Sequence, residues 1–335
     1  MAEKKPFQLI SKVRCAHRSR LDAAQQQTYD LIAEAMARRE TSVRVRGRLG
    51  EDLTEIFKAV IHDQPFLFDV NRTEVSGTSS PIMSTIRWEY RMPDEEAERC
   101  RVQINAELRR ILGMLPDSKD AVATERAIHD LILTLGIRKP QSGRGEWWTH
   151  TIIGPLLYRE TVCEGAAQLF YTLCLLKGVP CRMVTGKGNG RVEGPGPHAW
   201  NMVRLGSQFA HVDAYWDLCL TFPGEALCYD YFNLQDTQMA LDHTWDREKF
   251  PVSTAESHSW FVKHGAEIDT PEELRALLVR LSDRGATEAA ARFRRAVEKD
   301  AVAGVMRDAC QNIFRRRLQW DYNDRQRVVH LSVLG

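Results

Sequence analysis

Residues 161–180 read TVCEGAAQLFYTLCLLKGVP, and how this stretch folds decides what kind of protein the chain is. Both of its ends carry helix signals. Thr161 suits an N-cap, and Glu164, three residues on, completes the pattern of a capping box. Lys177 falls in the last turn, Gly178 suits the left-handed position past the end, and Pro180 bars continuation. From Gly165 to Leu176 no side chain is charged, so the spacing predicts a helix that is apolar nearly all round and buried. Cys163 then lies in the first turn, where backbone N–H groups have no partner within the helix and the macrodipole favours an anion. A thiol so placed is biased toward thiolate, the form that acts as a nucleophile. Taken alone, the segment also fits a plainer account, in which Cys163 is a small apolar residue near a helix start.

Working outward on the C-terminal side, CRMVTGK (Cys181 to Lys187) has a strand pattern. The glycine- and proline-rich loop GKGNGRVEGPGP (Gly186 to Pro197) lacks phosphate-loop spacing and reads as a flap before His198. HAWNMVRL and QFAHVDAYW follow as two strand patterns joined at Gly206–Ser207. A turn centred on that pair sets Trp200 opposite Asp213 and His198 opposite Tyr215. His198 and Asp213 are then diagonal neighbours on one face, about 5–8 Å apart at Cβ. A slip of one residue would put them on opposite faces. Cys163, His198 and Asp213 supply a nucleophile, its base and the group that orients the base.

At these residues the chain resembles the transglutaminase-like superfamily of papain-related thiol enzymes. The likeness is carried by VCEGAAQLFYTLCLLKGVPCRMVTG around Cys163, HAWNMV at His198 and HVDAYWD at Asp213. The run YDYFNLQDTQMALDHTWD (Tyr229 to Asp246) is similar to the end of this domain in a bacterial subgroup. Together they cover roughly Asp117 to Phe250. The resemblance implies an α+β fold with a papain/transglutaminase-like core, its Cys-bearing helix packed on an antiparallel sheet, flanked by small α+β modules. It also implies a catalytic triad of Cys163, His198 and Asp213, acting on amide bonds of a peptide or protein substrate through a thioester. A cysteine peptidase or amidase is the leading expectation, since bacterial members are mostly hydrolytic and no acidic loop suggests the calcium sites of animal transglutaminases. A protein-glutamine acyltransferase (transglutaminase) and a non-catalytic peptide-binding relative are the alternatives.

At 335 residues and 43% hydrophobic content, the chain is expected to hold more than one core. We divide it into an N-terminal α+β module (1–92), the catalytic domain (93–250) and a C-terminal α+β module (251–335). Lys and Arg number 46 against 45 Asp and Glu, a balance that points away from nucleic acid and anionic membranes. The arginine groups Arg44, Arg46, Arg48 and Arg315 to Arg317 are better read as solvated faces. The segment MAEKKPFQLISKVRC lacks the apolar core of a signal peptide, and no apolar run is long enough to span a bilayer. Eight cysteines in that context are expected to be reduced thiols in a cytoplasmic protein. With no CxxC pair and no helical His pair, no metal or other cofactor is expected.

In the first module, Leu21 to Glu40 shows helical periodicity, SVRVRG alternates like a strand, DLTEIFKAVIHDQP is a short amphipathic helix, and FLFDVNRTEVSG and STIRWEYR are two more strands. His62 is expected at the surface or at a helix cap. Glu95 to Leu115 and Asp117 to Leu135 are paired helices, the second capped by Asp117 or Ser118, with His129 in the packing. The loop Arg138 to Glu146 delivers Trp147, Trp148 and His150 toward the cysteine. Trp147 and Trp148 are candidates for the wall of an acyl pocket and His150 for orienting the site, with plain packing the alternative. Trp200, on the His198 face, is a candidate shield for the imidazole–carboxylate pair. TPEELRALLVRLSDRG is a capped helix near the end of the chain.

Overall fold

The computed structural model describes residues 8–46, 53–141, 145–221 and 226–334. Residues 1–7, Arg48 and residues 142–144 of the Arg138–Glu146 loop lie outside the described residues. The chain groups into two units, Met1–Met183 with Trp200–Val203, and Val184–Ala199 with Arg204–Gly335.

In the first unit, α1 (Ala23–Ala37) starts at a capping box in which Asp22 accepts from Ala24 and Gln25 N–H and Gln25 bonds back to Asp22. Its buried residues Tyr29, Ile32, Ala33 and Met36 are those that set the sequence period. There follow β1 (Ser42–Arg46), α2 (Leu53–Asp63), β2 (Val70–Ser79) and β3 (Met83–Tyr90). The three strands form an antiparallel sheet in the order β1-β3-β2. His62, expected at the surface, is half-buried with its ring 5.1 Å from that of His17. Two helices come next, α3 (Asp94–Met114) and α4 (Ala121–Thr134). Asp120, rather than Asp117 or Ser118, caps α4 by accepting from Val122 N–H at 2.9 Å, which starts the helix a few residues later than expected. His129 is fully buried in α4.

Helix α5 (Cys163–Leu176) is buried at every position from Gly165 to Leu175. Its C-terminus closes as the residues require, with Gly178 at φ +81°. Arg14 adds a bond from Nη1 to the Leu175 carbonyl at 2.9 Å. Tyr171 Oη, inside the helix, donates to the Asp63 carbonyl at 3.2 Å. Asn201 Nδ2 donates to the Ala167 carbonyl at 3.0 Å and so ties α5 to the strand carrying Asn201.

A five-stranded sheet comprises β4 (Cys181–Gly188), β5 (Gly196–Leu205), β6 (Gln208–Val212), β7 (Phe232–Leu234) and β8 (His243–Trp245), in the order β7-β6-β5-β4-β8. Gly206, at φ +65°, makes the turn between β5 and β6. The strand expected to run through Tyr215 stops at Val212, and α6 (Ala214–Leu220) begins with Asp213 as its N-cap. An aspartate before a short apolar run serves a cap as well as a strand, and a run of three residues does not tell the two periods apart. Helix α7 (Asp236–Met239) lies between β7 and β8.

The rest of the second unit holds α8 (Trp260–Lys263), β9 (Glu267–Ile268), α9 (Pro271–Asp283), β10 (Glu288–Phe293), α10 (Lys299–Asp308), β11 (Leu318–Asn323) and β12 (Val328–Val333). The strands pair in the order β11-β12-β10-β9, antiparallel except for β9 with β10. Thr270 caps α9 by accepting from Glu273 N–H, and Gly285 follows it at φ +71°, both as the sequence predicts. Phe261, Leu274, Phe293, Val302 and Val328 are the centre of the core packed on this sheet. The fold is α+β. Among the described residues no helix is long and apolar enough to cross a membrane.

Candidate active site

The cysteine end is built by packing within the first unit. Trp147–His150 is a single 3-10 turn whose Thr149 carbonyl accepts from Val162 N–H at 3.2 Å and from Thr161 Oγ1 at 3.2 Å. Gly165 lets this turn close on α5: a Cβ there would stand 2.2 Å from the Thr149 carbonyl oxygen, so no larger residue fits. Cys163 is the first residue of α5 and half-buried. The expected capping box does not form. Val162 occupies the N-cap position, and Thr161 is turned to backbone carbonyls. The Glu164 carboxylate instead binds the Arg72 guanidinium and lies 3.4 Å from His150 Nδ1. Burial alone would raise the Glu164 pKa, but Arg72 and His150 outweigh it and hold the carboxyl at about 2. The acid beside the cysteine is therefore an ion pair rather than a lone negative charge.

The imidazole end lies within the second unit. His198 Nε2 is 2.6 Å from Asp213 Oδ2, and both side chains are 1% exposed. Asp213 Oδ1 has a separate task, accepting from Tyr215 and Trp216 N–H at 3.1 Å each. The pair predicted from a strand face thus forms with the carboxylate at a helix start, which fixes it more firmly than a strand side chain would be. Burial by itself would push the Asp213 pKa up; His198 and His243 override that and hold it well below the usual carboxylate range. The Trp216 indole packs on both imidazoles, its ring 4.6 Å from His198 and 4.3 Å from His243. Gly188 and Gly190 fit around that indole, where an added Cβ would come within 2.7 and 2.4 Å of its ring atoms.

The structure places Trp147, Trp148 and His150, all half-buried, on the turn packed against the start of α5. Trp148 also packs on Tyr158, with ring centroids 4.4 Å apart. Trp200 is different: at 1% exposure it is a core side chain. The Trp216 indole lies against the imidazole–carboxylate pair. Sequence reasoning missed Trp216, Arg72 and His243. His243 Nε2 is 3.3 Å from Asp213 Oδ2 and its Nδ1 is 2.7 Å from Asp242 Oδ1. The adjacent Asp242 and His243 were the available sign.

Among the described residues two sets bring ligand-type atoms within 4.8 Å of one another: His198, Asp213 and His243, and Cys228, Asp230 and His330. In the first, both imidazoles are turned on the carboxylate. The second faces a cavity of about 430 Å³ in the second unit, and there His330 Nε2 and Asn323 Nδ2 each bond Asp230 at 2.7 Å. In each set an imidazole bonds the carboxylate.

No curated protein is similar enough in sequence to match. Among solved structures, a TGase is similar over 56% of this chain and 53% of its own, at 10% identity and TM-score 0.31, so the match spans about half of that protein's length. A Cytophaga hutchinsonii protein named as a candidate cysteine protease is similar over 52% of this chain and 71% of its own, at 11% identity and TM-score 0.29. Menin, in a structure showing its binding site for the Mixed Lineage Leukemia protein, is similar over 85% of this chain and 54% of its own, at 14% identity and TM-score 0.28. None of the three overlaps closely enough to bear on the chemistry of this chain. The sequence match is more telling, for residues 117–214 fit the model of the transglutaminase-like superfamily, and that segment contains Cys163, His198 and Asp213. The segment 117–214 is thus similar to the transglutaminase-like superfamily.

Proposed function

We propose that the chain is a cysteine-dependent acyl-transfer enzyme acting on amide bonds of peptides or proteins, with water as the preferred acceptor. The observation that carries this reading is the 2.6 Å bond between the buried His198 and Asp213 side chains. Such a pair orients an imidazole and steadies its charged form. Because Asp213 takes Nε2, that nitrogen carries the N–H, and Nδ1 is the one for proton exchange with Cys163. Cys163, at the first position of α5, supplies the nucleophile.

In the proposed reaction the Cys163 thiolate adds to the amide carbonyl carbon, forming a C–S bond. The backbone N–H groups at the start of α5 donate to the resulting oxyanion, a contact worth about 3–4 kcal/mol per donor in other enzymes. His198 passes its proton to the leaving amine as the C–N bond breaks. Water then attacks the thioester, giving a proton to His198, and the C–S bond breaks to release the acid and the Cys163 thiolate. Trp147, Trp148 and His150 are assigned to the acyl side of the site, and Trp200 to packing of β5. Residues 1–92 and 251–335 are proposed as modules flanking the catalytic domain of residues 93–250, and the protein as a bacterial, cytoplasmic enzyme.

Brief iodoacetamide treatment near neutral pH, followed by peptide mapping, tests the reading. Cys163, Cys219 and Cys310 are half-buried, whereas the other five thiols are buried. An activated nucleophile predicts labelling of Cys163 well ahead of Cys219 and Cys310. Equal labelling of the three would favour a non-catalytic peptide-binding module. Incubation with a peptide amide in the presence of a primary amine would then separate hydrolysis, which yields the acid, from transfer to the amine, which marks a transglutaminase.

A further inference from the structure

We propose that His243 is a positioning residue of this site: a buried imidazolium that shares Asp213 with His198 and thereby sets how readily His198 takes up and gives back its proton. The inference rests on the acyl-transfer reading and concerns the same centre.

The geometry alone argues for the charge. Both ring nitrogens of His243 face carboxylate oxygens, Nδ1 toward Asp242 Oδ1 at 2.7 Å and Nε2 toward Asp213 Oδ2 at 3.3 Å. A carboxylate only accepts, so both nitrogens must donate, and an imidazole that donates from both is a cation. Asp242 is committed to the acceptor role from other sides. Tyr231 Oη donates to its Oδ2 at 2.8 Å and Gln326 Nε2 to its Oδ1 at 2.9 Å. Burial works against the His243 charge, but Asp213 and Asp242 outweigh it and hold the imidazole above its ordinary value.

Asp213 Oδ2 is then divided between two imidazoles whose ring centroids lie 5.2 Å apart. His243 is 0% exposed at its side chain, so solvent does little to screen it. A fixed positive charge there draws part of the carboxylate's field away from His198 and opposes a second positive charge on that ring. Among the described residues, His211, itself 2.9 Å from Asp236 Oδ1, and Tyr231, whose ring lies 5.7 Å away, also face His243. Neither supplies a competing carboxylate at the His198 end. The Trp216 indole against both rings holds their spacing.

The test is the titration of His198 followed by ¹⁵N NMR in Cys163→Ser protein, where the proposed nucleophile is absent and no turnover is needed. His243→Gln removes the charge and keeps a side-chain donor. It is expected to raise the His198 midpoint by about 1 pH unit or more. Asp242→Asn, which leaves the His243 ring but weakens its hold on the second proton, is expected to shift His198 in the same direction by less. A purely structural role predicts no shift in either folded variant, and a midpoint unmoved within a few tenths in both would overturn the inference. The alkylation of Cys163 against pH, measured with the thiol present, separates the two claims. A shifted His198 with no preference for Cys163 would sink the acyl-transfer reading but keep His243 as described. Selective alkylation with an unshifted His198 would do the reverse.

Discussion

Asparagine at position 213 would separate the two tasks of that carboxylate. Oδ1 caps α6, accepting from Tyr215 and Trp216 N–H, and an asparagine carbonyl does this about as well. Oδ2 faces His198 Nε2 at 2.6 Å and His243 Nε2 at 3.3 Å, and there an amide NH₂ would meet two donors. Removing one partner of a buried ion pair typically costs about 3–5 kcal/mol, and with the cap kept nearly all of that belongs to the imidazoles. The rings can lessen the cost by losing protons, so it must depend on pH. The folded-state pKa of His243 is raised, so its stabilisation is present below the unfolded value of 6.5 and is lost as pH rises through the folded value. The folded-state pKa of Asp213 is lowered, so its share is present above the unfolded value of 3.8 and lost only in stronger acid. Asp213→Asn should therefore cost most at about pH 5.5, where the Asp213 carboxylate and the His243 imidazole are both charged, and distinctly less at about pH 9. Urea unfolding of both proteins at the two pH values measures this. Asp213→Ala should add about 1 kcal/mol at each pH for the lost cap. A cost below about 1 kcal/mol at the lower pH, or an equal cost at both, would refute the claim that a buried charge pair holds these rings.

Three further outcomes are expected. Cys163→Ala should abolish turnover while changing unfolding free energy by only about 0.5 kcal/mol, since one small half-buried side chain is altered; turnover that survives would exclude a thioester route. Gly190→Ala would set a Cβ 2.4 Å from Trp216 Cζ3 and should destabilise by about 1–3 kcal/mol through overpacking, with a change in tryptophan emission. Unaltered stability and emission would show that the loop does not confine the indole. Asp63 is buried and its pKa is raised to about 7, burial outweighing the N–H groups of Arg18 and His17. Its contribution is thus present at low pH and lost as pH rises through about 7, so Asp63→Asn should gain on the native protein by about 2–4 kcal/mol between acid and mildly alkaline pH. A difference that stays flat across a pH series of unfolding curves would contradict this.

The sequence by itself determined the parts that depend on neighbours along the chain. A run without charge from Gly165 to Leu176, closed by Gly178 and Pro180, has no stable option but a buried helix, and α5 is that helix. Thr270, Pro271 and Gly285 bounded α9 for the same local reasons. His198 and Asp213 were legible as partners because a short turn between strands left few ways for them to be far apart. What tertiary structure decided was which of several equal local options prevailed. Glu164 had a capping box within reach but took Arg72, 92 residues away, because a buried carboxylate gains more from a guanidinium than from a backbone N–H. Asp213 became a helix cap rather than a strand residue, since its Oδ1 could satisfy two N–H groups that a strand would not have offered. His243 joined Asp213 from 30 residues on, and the Trp216 indole came to lie on His198. Charge pairing and ring packing act through space over a few ångströms, and one-dimensional spacing carries no record of which distant residues will share that space.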